Sequence, residues 1–292
     1  MNYQNYMNMN AVNKLLRTRS SNRVRKEFKS YLSLMMTDKG TIRQMLGTTT
    51  KTDKRLEGVP VKVSILNFAP AKIAGFGINT CRYAGSCKDN CLFASGNLPR
   101  HHESYVAKTR AFWGYPVEFL TELIKDISRE AFAAHLDGDA LYIRLNGTSD
   151  ISWEDYLDLN ALTRDIDGLA GFYDYTKAPL TVRTPTDSYH LTFSVDEKNV
   201  ALSRAREYRD AGYPFAVVSP NEDYKLLKKL DGVTDGDESD FRFFDTGLVI
   251  LKAKTLTNFS KKGRKDVYKG EYGEVVKGLV RSLRQVLELV LT

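Results

Sequence analysis

Sulfur and histidine are scarce in this 292-residue chain, and it has no long apolar run. Its three cysteines all stand in one stretch, TCRYAGSCKDNCLFASG at 80–96, and it has four histidines. So few cysteines, in odd number, exclude a disulfide framework. No segment approaches the roughly 20 apolar residues that span a bilayer. The polar, Asn- and Met-rich N-terminus has no apolar centre of a signal peptide. A cytoplasmic protein without a membrane partner is therefore expected.

What is present is unevenly placed. The net charge is +7, but residues 1–56 hold 12 Lys/Arg against 3 Asp/Glu, and a second basic run lies at 252–270. A mildly acidic body thus carries two basic appendages, a distribution that suits a polyanion such as nucleic acid. Arg23, Arg25 and Lys26 in the first run, and Lys261, Lys262, Arg264 and Lys265 in the second, are the candidate nucleic-acid contacts. Aromatic residues interleave with the basic ones in KKGRKDVYKGEY, and the N-terminal NYQNYMNMN is also aromatic-rich.

Residues 1–13 lack an ordering pattern. From Asn22, apolar residues at Val24, Phe28, Tyr31, Leu32 and Met35 recur at helical spacing, and the polar run at 47–55 reads as a linker. These features delimit a basic, partly disordered extension over 1–56 and a main domain over 57–292. In the main domain, β-like segments at 61–68, 140–147, 170–176, 189–195, 214–220 and 241–254 alternate with helical patterns at 103–134, 152–165 and 197–211. Residues 274–291 form a terminal amphipathic helix by their Val/Leu spacing. This alternation implies an α/β fold with a largely parallel sheet. An incomplete or irregular β/α (TIM-like) barrel is the first expectation, and an open doubly wound sheet the second.

Parallel sheets place their chemistry at the carboxyl ends of strands. There the chain sets Asn67, Asn146, Asp150, Asp174, Tyr175 and Lys177 directly after apolar runs. Asp150, Asp174, Lys177 and Asp237 are the candidate catalytic groups. Asn67, Asn146, Tyr175, Lys252 and Lys254 are candidates to bind a ligand. The acidic run DGVTDGDESD (231–240) offers oxygen ligands to Mg²⁺, although the EF-hand pattern fails.

Cys81, Cys87 and Cys91 are spaced for a soft metal centre. Three thiolates suit a [4Fe–4S] cluster with one open iron. Zn²⁺ is the alternative, completed by His101 or His102, although neither interval is the C-x₂-C of zinc ribbons. A three-cysteine cluster after the first barrel strand also resembles radical S-adenosylmethionine enzymes. Both cysteine intervals depart from their C-x₃-C-x₂-C pattern, and no glycine-rich run follows the second strand.

The motifs ILNFAPA…TCRYAGSCKDNCLFASG, RLNGTSDISWE, FYDYTK, YHLTFS and TDGDESDFRFFD…GLVILKAK together resemble a bacteriophage-encoded family of largely uncharacterised cysteine-cluster proteins. Some of these carry the label of rolling-circle replication proteins. The resemblance covers about residues 60–255 and implies a phage protein acting in the host cytoplasm. The nickase constellation itself is missing, because His190 stands alone on its strand where two metal-binding histidines are needed. The sequence therefore predicts a phage-type [4Fe–4S] protein, redox-active or a cluster-dependent enzyme, acting on nucleic acid or a nucleotide-like anion. Its alternatives are a nucleic-acid-binding replication-associated protein with structural zinc, and a Mg²⁺-dependent nuclease.

Overall fold

The computed structural model describes residues 2–27, 44–48, 59–88, 91, 93, 98–195, 199–219 and 221–252. The positions from Phe28 to Met35, the terminal helix at 274–291, and Lys254, Lys261, Lys262, Arg264 and Lys265 lie outside them. Eight strands are described: β1 Leu46–Gly47, β2 Val61–Leu66, β3 Ala140–Arg144, β4 Leu169–Thr176, β5 Tyr189–Ser194, β6 Phe215–Ser219, β7 Val233–Asp235 and β8 Leu248–Lys252. Among the described residues, seven α-helices accompany them: α1 Met9–Leu16, α2 Arg19–Glu27, α3 His102–Gly114, α4 Pro116–Leu136, α5 Leu159–Asp165, α6 Asn199–Asp210 and α7 Asn221–Leu227.

The strands form one sheet in the order β1-β2-β3-β4-β5-β6-β8-β7. β1 runs antiparallel to β2, while the β2–β3, β3–β4, β5–β6, β6–β8 and β7–β8 pairs are parallel. The α/β class and the mostly parallel sheet are as expected. The barrel closure is not seen, since β1 and β7 stand at the two ends of the strand order. Contacts group the chain into two compact units. One comprises Met1–Arg82, His102–Asp174 and Arg183–His190, the other Tyr83–His101, Tyr175–Val182 and Leu191–Thr292.

In the first unit the core is aromatic. Phe68, Phe112, Phe119 and Trp153 are fully buried, with ring centroids 5.2–5.9 Å apart in tilted and edge-on pairs. Such pairs add about 0.5–1.5 kcal/mol each beyond simple burial. The helical pattern expected at 103–134 forms two helices, because Pro116 lacks an N–H and forces Tyr115 out of helical geometry, at φ −139° and ψ 60°. α4 then buries Phe119, Leu120, Leu123, Ile124, Ile127, Ala131 and Ala134, the spacing of a helix packed along one face.

Two buried charges hold β1 at the sheet edge. Asp126 accepts the backbone N–H groups of Met45 and Leu46 at 2.8 and 2.9 Å, and Lys108 donates to the Met45 carbonyl at 3.0 Å. Burial pushes the Lys108 ammonium down to about 8, against the opposing pull of Asp126.

The opening residues are ordered where disorder was expected. Asn8 caps α1 by accepting the Ala11 N–H at 3.3 Å, and Tyr6, Met7, Val12 and Leu15 are buried. Met7 forms an antiparallel bridge with Leu157. α5 begins later than the expected helix at 152–165, with Asp158 as its cap accepting the Ala161 N–H at 2.9 Å.

In the second unit Phe193 stacks on Tyr208 at 4.9 Å, and β6 and β8 bury Phe215, Ala216, Val217, Leu248, Val249 and Ile250. Of the strand expected at 241–254, the described residues form Leu248–Lys252. Its first part is instead a turn wound around the buried Arg242, which donates to Asp245, Gly236 and Ser239.

Gly147, just beyond β3, is required by close approach. A Cβ there would stand 2.2 Å from the Asn67 amide oxygen and 2.5 Å from an Ile65 methyl. Gly147→Ala is expected to lower unfolding free energy by about 1–3 kcal/mol through overpacking, measured by urea denaturation.

Candidate functional site

In the first unit the ends of β3 and β4 bring polar groups into one buried network. Asp174 accepts the Asn146 backbone N–H at 2.7 Å through Oδ1. Its Oδ2 accepts from Asn146 Nδ2 at 2.9 Å and from the Tyr189 hydroxyl at 2.7 Å. Asn146 in turn uses its amide oxygen to accept the Ser149 hydroxyl, the Ile151 N–H and the Trp153 indole N–H at 2.8–3.2 Å. One buried amide thus shapes the whole turn after β3.

Tyr189 connects this carboxyl to a buried ion cluster. Its hydroxyl accepts from Arg183 at 2.8 Å. The same guanidinium donates to Glu154 at 2.6 and 3.2 Å and to Asp150 at 3.2 Å. Its side chain is 0% exposed.

Burial pushes the Asp174 carboxyl up to about 7, against the lowering effects of the Tyr189 hydroxyl, the Asn146 N–H and the charges of Arg144 and Arg183. Burial, reinforced by Asp174, holds Tyr189 well above the ordinary tyrosine range, so its hydroxyl keeps the proton it donates. Burial works against the charge on Arg183, but Tyr189, Glu154 and Asp150 outweigh it.

Beside the network lies a cavity of about 430 Å³. Tyr189 and Glu154 line it together with Tyr6, Asn8, Asn160 and Thr184, and no Lys, Arg or His is among its lining residues.

The expected cysteine centre is not formed. Among the described residues, no group of three or more His, Cys, Asp or Glu side chains is placed to hold a metal ion. Cys81 belongs to the first unit, Cys87 and Cys91 to the second, and none forms a disulfide. Cys81 closes a turn in which Thr80 N–H donates to the Ala71 carbonyl at 3.0 Å and Ala71 N–H donates to the Cys81 sulfur at 3.3 Å. Cys87 sits in a separate 3₁₀ turn, Gly85–Lys88. Closeness in sequence does not become a shared ligand set. The iron–sulfur reading, with the redox or cluster-dependent activity resting on it, is therefore overturned. The zinc-braced and Mg²⁺-nuclease alternatives find no ligand group among the described residues either.

The remaining candidates separate. Asn67 abuts Gly147, and Asn146, Asp150 and Asp174 share the network above. Lys177 donates to the Ser194 carbonyl and hydroxyl at 2.9 and 3.0 Å. Tyr175 is half-buried at the end of β4. Asp237 accepts the Lys252 N–H at 2.6 Å, and Asp235 accepts the Tyr224 hydroxyl at 2.6 Å. The acidic run thus serves the local fold of the second unit. Lys252 ends β8 with an exposed side chain.

Tyr189, Arg183 and Glu154 escaped sequence reading. Arg183 is the lone cation in LTVRTPTD, and an isolated Arg amid polar residues was the one available signal.

A second feature is a basic face. On α2, Arg19, Arg23 and Lys26 are exposed, while Ser21 and Val24 are buried. Their i, i+4, i+7 spacing sets the three cations in one stripe. Arg25 is instead tied to the Leu16 carbonyl at 2.7 Å and to Asn22 at 2.5 Å. The turn at 75–77 packs on this helix, since a Cβ at Gly77 would meet the Ser20 hydroxyl at 3.4 Å. The Arg23 and Arg110 guanidinium carbons lie 5.8 and 4.9 Å from the Phe76 ring centroid.

These features define an open-sheet α/β protein with a buried carboxyl–tyrosine–arginine network and a basic helical face. The chain matches the family Gene product 88 (GP88) over residues 39–268, more than half its length, and belongs to that phage-type family. No curated protein and no solved structure matches it. No helix of the described residues is long and apolar enough to cross a membrane.

The raised Asp174 makes stability depend on pH. Between about 3.9, where an ordinary Asp titrates, and its folded value of about 7, the folded state holds a proton that the unfolded chain has released. This contribution is therefore complete below pH 4, falls as pH rises to 7, and is flat above. Relative to Asp174→Asn, the wild-type protein should lose on the order of 4 kcal/mol at most across that window. Chemical denaturation of both proteins from pH 4 to 8 checks it.

Proposed function

We propose that the basic face of α2 and the adjoining turn dock a single-stranded nucleic acid, in the cytoplasm of the host. The observation that carries the reading is the exposed stripe Arg19, Arg23 and Lys26 beside the arginine-flanked ring of Phe76. Cations in a row neutralise successive phosphates, and an aromatic ring offers a stacking surface that any base can use. Arg17, Lys72 and Arg82, all exposed in the same unit, extend the positive field.

The backbone supports the same reading. Ala71 and Phe76 hold φ values of 48° and 56°, a left-handed conformation that costs a non-glycine residue about 1–3 kcal/mol and persists where its surroundings enforce it. Strain of this kind concentrates in segments that present a side chain for use.

Fluorescence anisotropy with 20-nucleotide single-stranded DNA and RNA, titrated at several salt concentrations, tests the proposal. The logarithm of affinity should fall linearly with the logarithm of salt. Combined Arg19→Ala, Arg23→Ala and Lys26→Ala changes should flatten that slope by about two units. Phe76→Leu should weaken binding about tenfold or more with little change in slope. Salt-independent affinity, or a triple variant that binds as tightly as wild type, refutes it.

A further inference from the structure

The cavity beside Tyr189 shares no residue with the basic face, and its chemistry is opposite. Two carboxylates, Glu154 and Asp158, line it without any cation, so a phosphate or carboxylate ligand would meet like charge in a partly desolvated space. Its volume of about 430 Å³ is in the range of small-molecule sites. Asn5, Asn8 and Asn160 contribute amides, and Thr184 and Thr186 contribute hydroxyls. A lining that both donates and accepts suits a ligand whose groups do both. Hydroxyls are such groups.

We propose that this cavity binds an uncharged vicinal diol, the group shared by free sugars and unphosphorylated nucleosides, with Glu154, Asn160 and Thr184 as its contacts. A carboxylate has about four acceptor positions. Glu154 Oε1 takes the Arg183 Nε and Thr184 N–H donors, whereas Oε2 takes only the longer Arg183 contact at 3.2 Å. Oε2 thus keeps room for a ligand hydroxyl, the same use of an acidic side chain by which dinucleotide-binding folds hold a ribose. The apolar side chains of Met7, Leu157 and Leu159 give the carbon face of such a ligand somewhere to pack.

The network behind the cavity has a purpose on this reading. A fully buried guanidinium with two carboxylates is often no more stabilising than apolar residues of the same volume. Here it pins Glu154, and with Asp174 it fixes the Tyr189 hydroxyl through one accepted and one donated hydrogen bond. Glu154 therefore reaches the cavity already oriented, which lowers the entropy lost on binding.

Isothermal titration calorimetry and saturation-transfer NMR on the full chain test this with D-ribose, D-glucose, adenosine, uridine and the two nucleoside 5′-monophosphates. At least one neutral probe should bind with a Kd of about 1 mM or tighter, and the monophosphates at least tenfold more weakly. Binding by sugars alone assigns the diol to a carbohydrate, and binding by nucleosides alone to a nucleoside. Asn160→Ala and Thr184→Ala alter exposed rim positions and should each reduce affinity about tenfold, the worth of one hydrogen bond. The proposal is overturned if no neutral probe binds, if the monophosphates bind as well as their parents, or if both rim variants bind like wild type. Oligonucleotide binding reads other residues, so either reading can fail without the other.

Discussion

One buried carboxyl organises the first unit. Asp174 takes three donors, two from Asn146 and one from Tyr189, and so ties the turn after β3 to the first residue of β5. Because Asn146 in turn orders Ser149, Ile151 and Trp153, the Asp174 carboxyl indirectly seats the indole at the centre of the aromatic core. Buried acceptors left unmet are costly, and this arrangement leaves few alternatives for the loop. Fold and candidate site therefore share one set of hydrogen bonds.

The strands were largely legible. VKVSIL, ALYIR, YHLTFS and FAVVS are short, rich in β-branched or aromatic residues, and buried over most of their length, a signature that survives without knowledge of partners. β1 and β7 were not legible. They are two and three residues long, and β1 exists because Asp126, some 80 residues away, accepts its N–H groups. The order of residues 2–16 was equally hidden, since Tyr6 and Met7 acquire an apolar setting only against Leu157 and its neighbours.

The candidate site divided along the same physical line. Asn146 and Asp174 were visible as polar residues at strand ends, because that placement is a property of parallel sheets in general. Tyr189, Arg183 and Glu154 were not, since each is defined by partners 6 to 33 residues distant. The cysteines misled for the converse reason. Cys81, Cys87 and Cys91 are close in sequence, but coordination depends on where side chains converge. Cys81 closes its own turn, and Cys87 lies in a separate one.

The N-terminal wall of the cavity has a consequence of its own. Tyr6 reaches Asp165 across 159 residues of chain, and the wall is sewn to residues 156–158 by the bonds Asn8 N–H to Tyr156 and Asp158 N–H to Tyr6, both 2.9 Å. The pairing of β2 with β3 draws on none of these bonds. The outer wall of the chamber is therefore held by bonds separate from the hydrogen-bond ladder that joins β2 to β3.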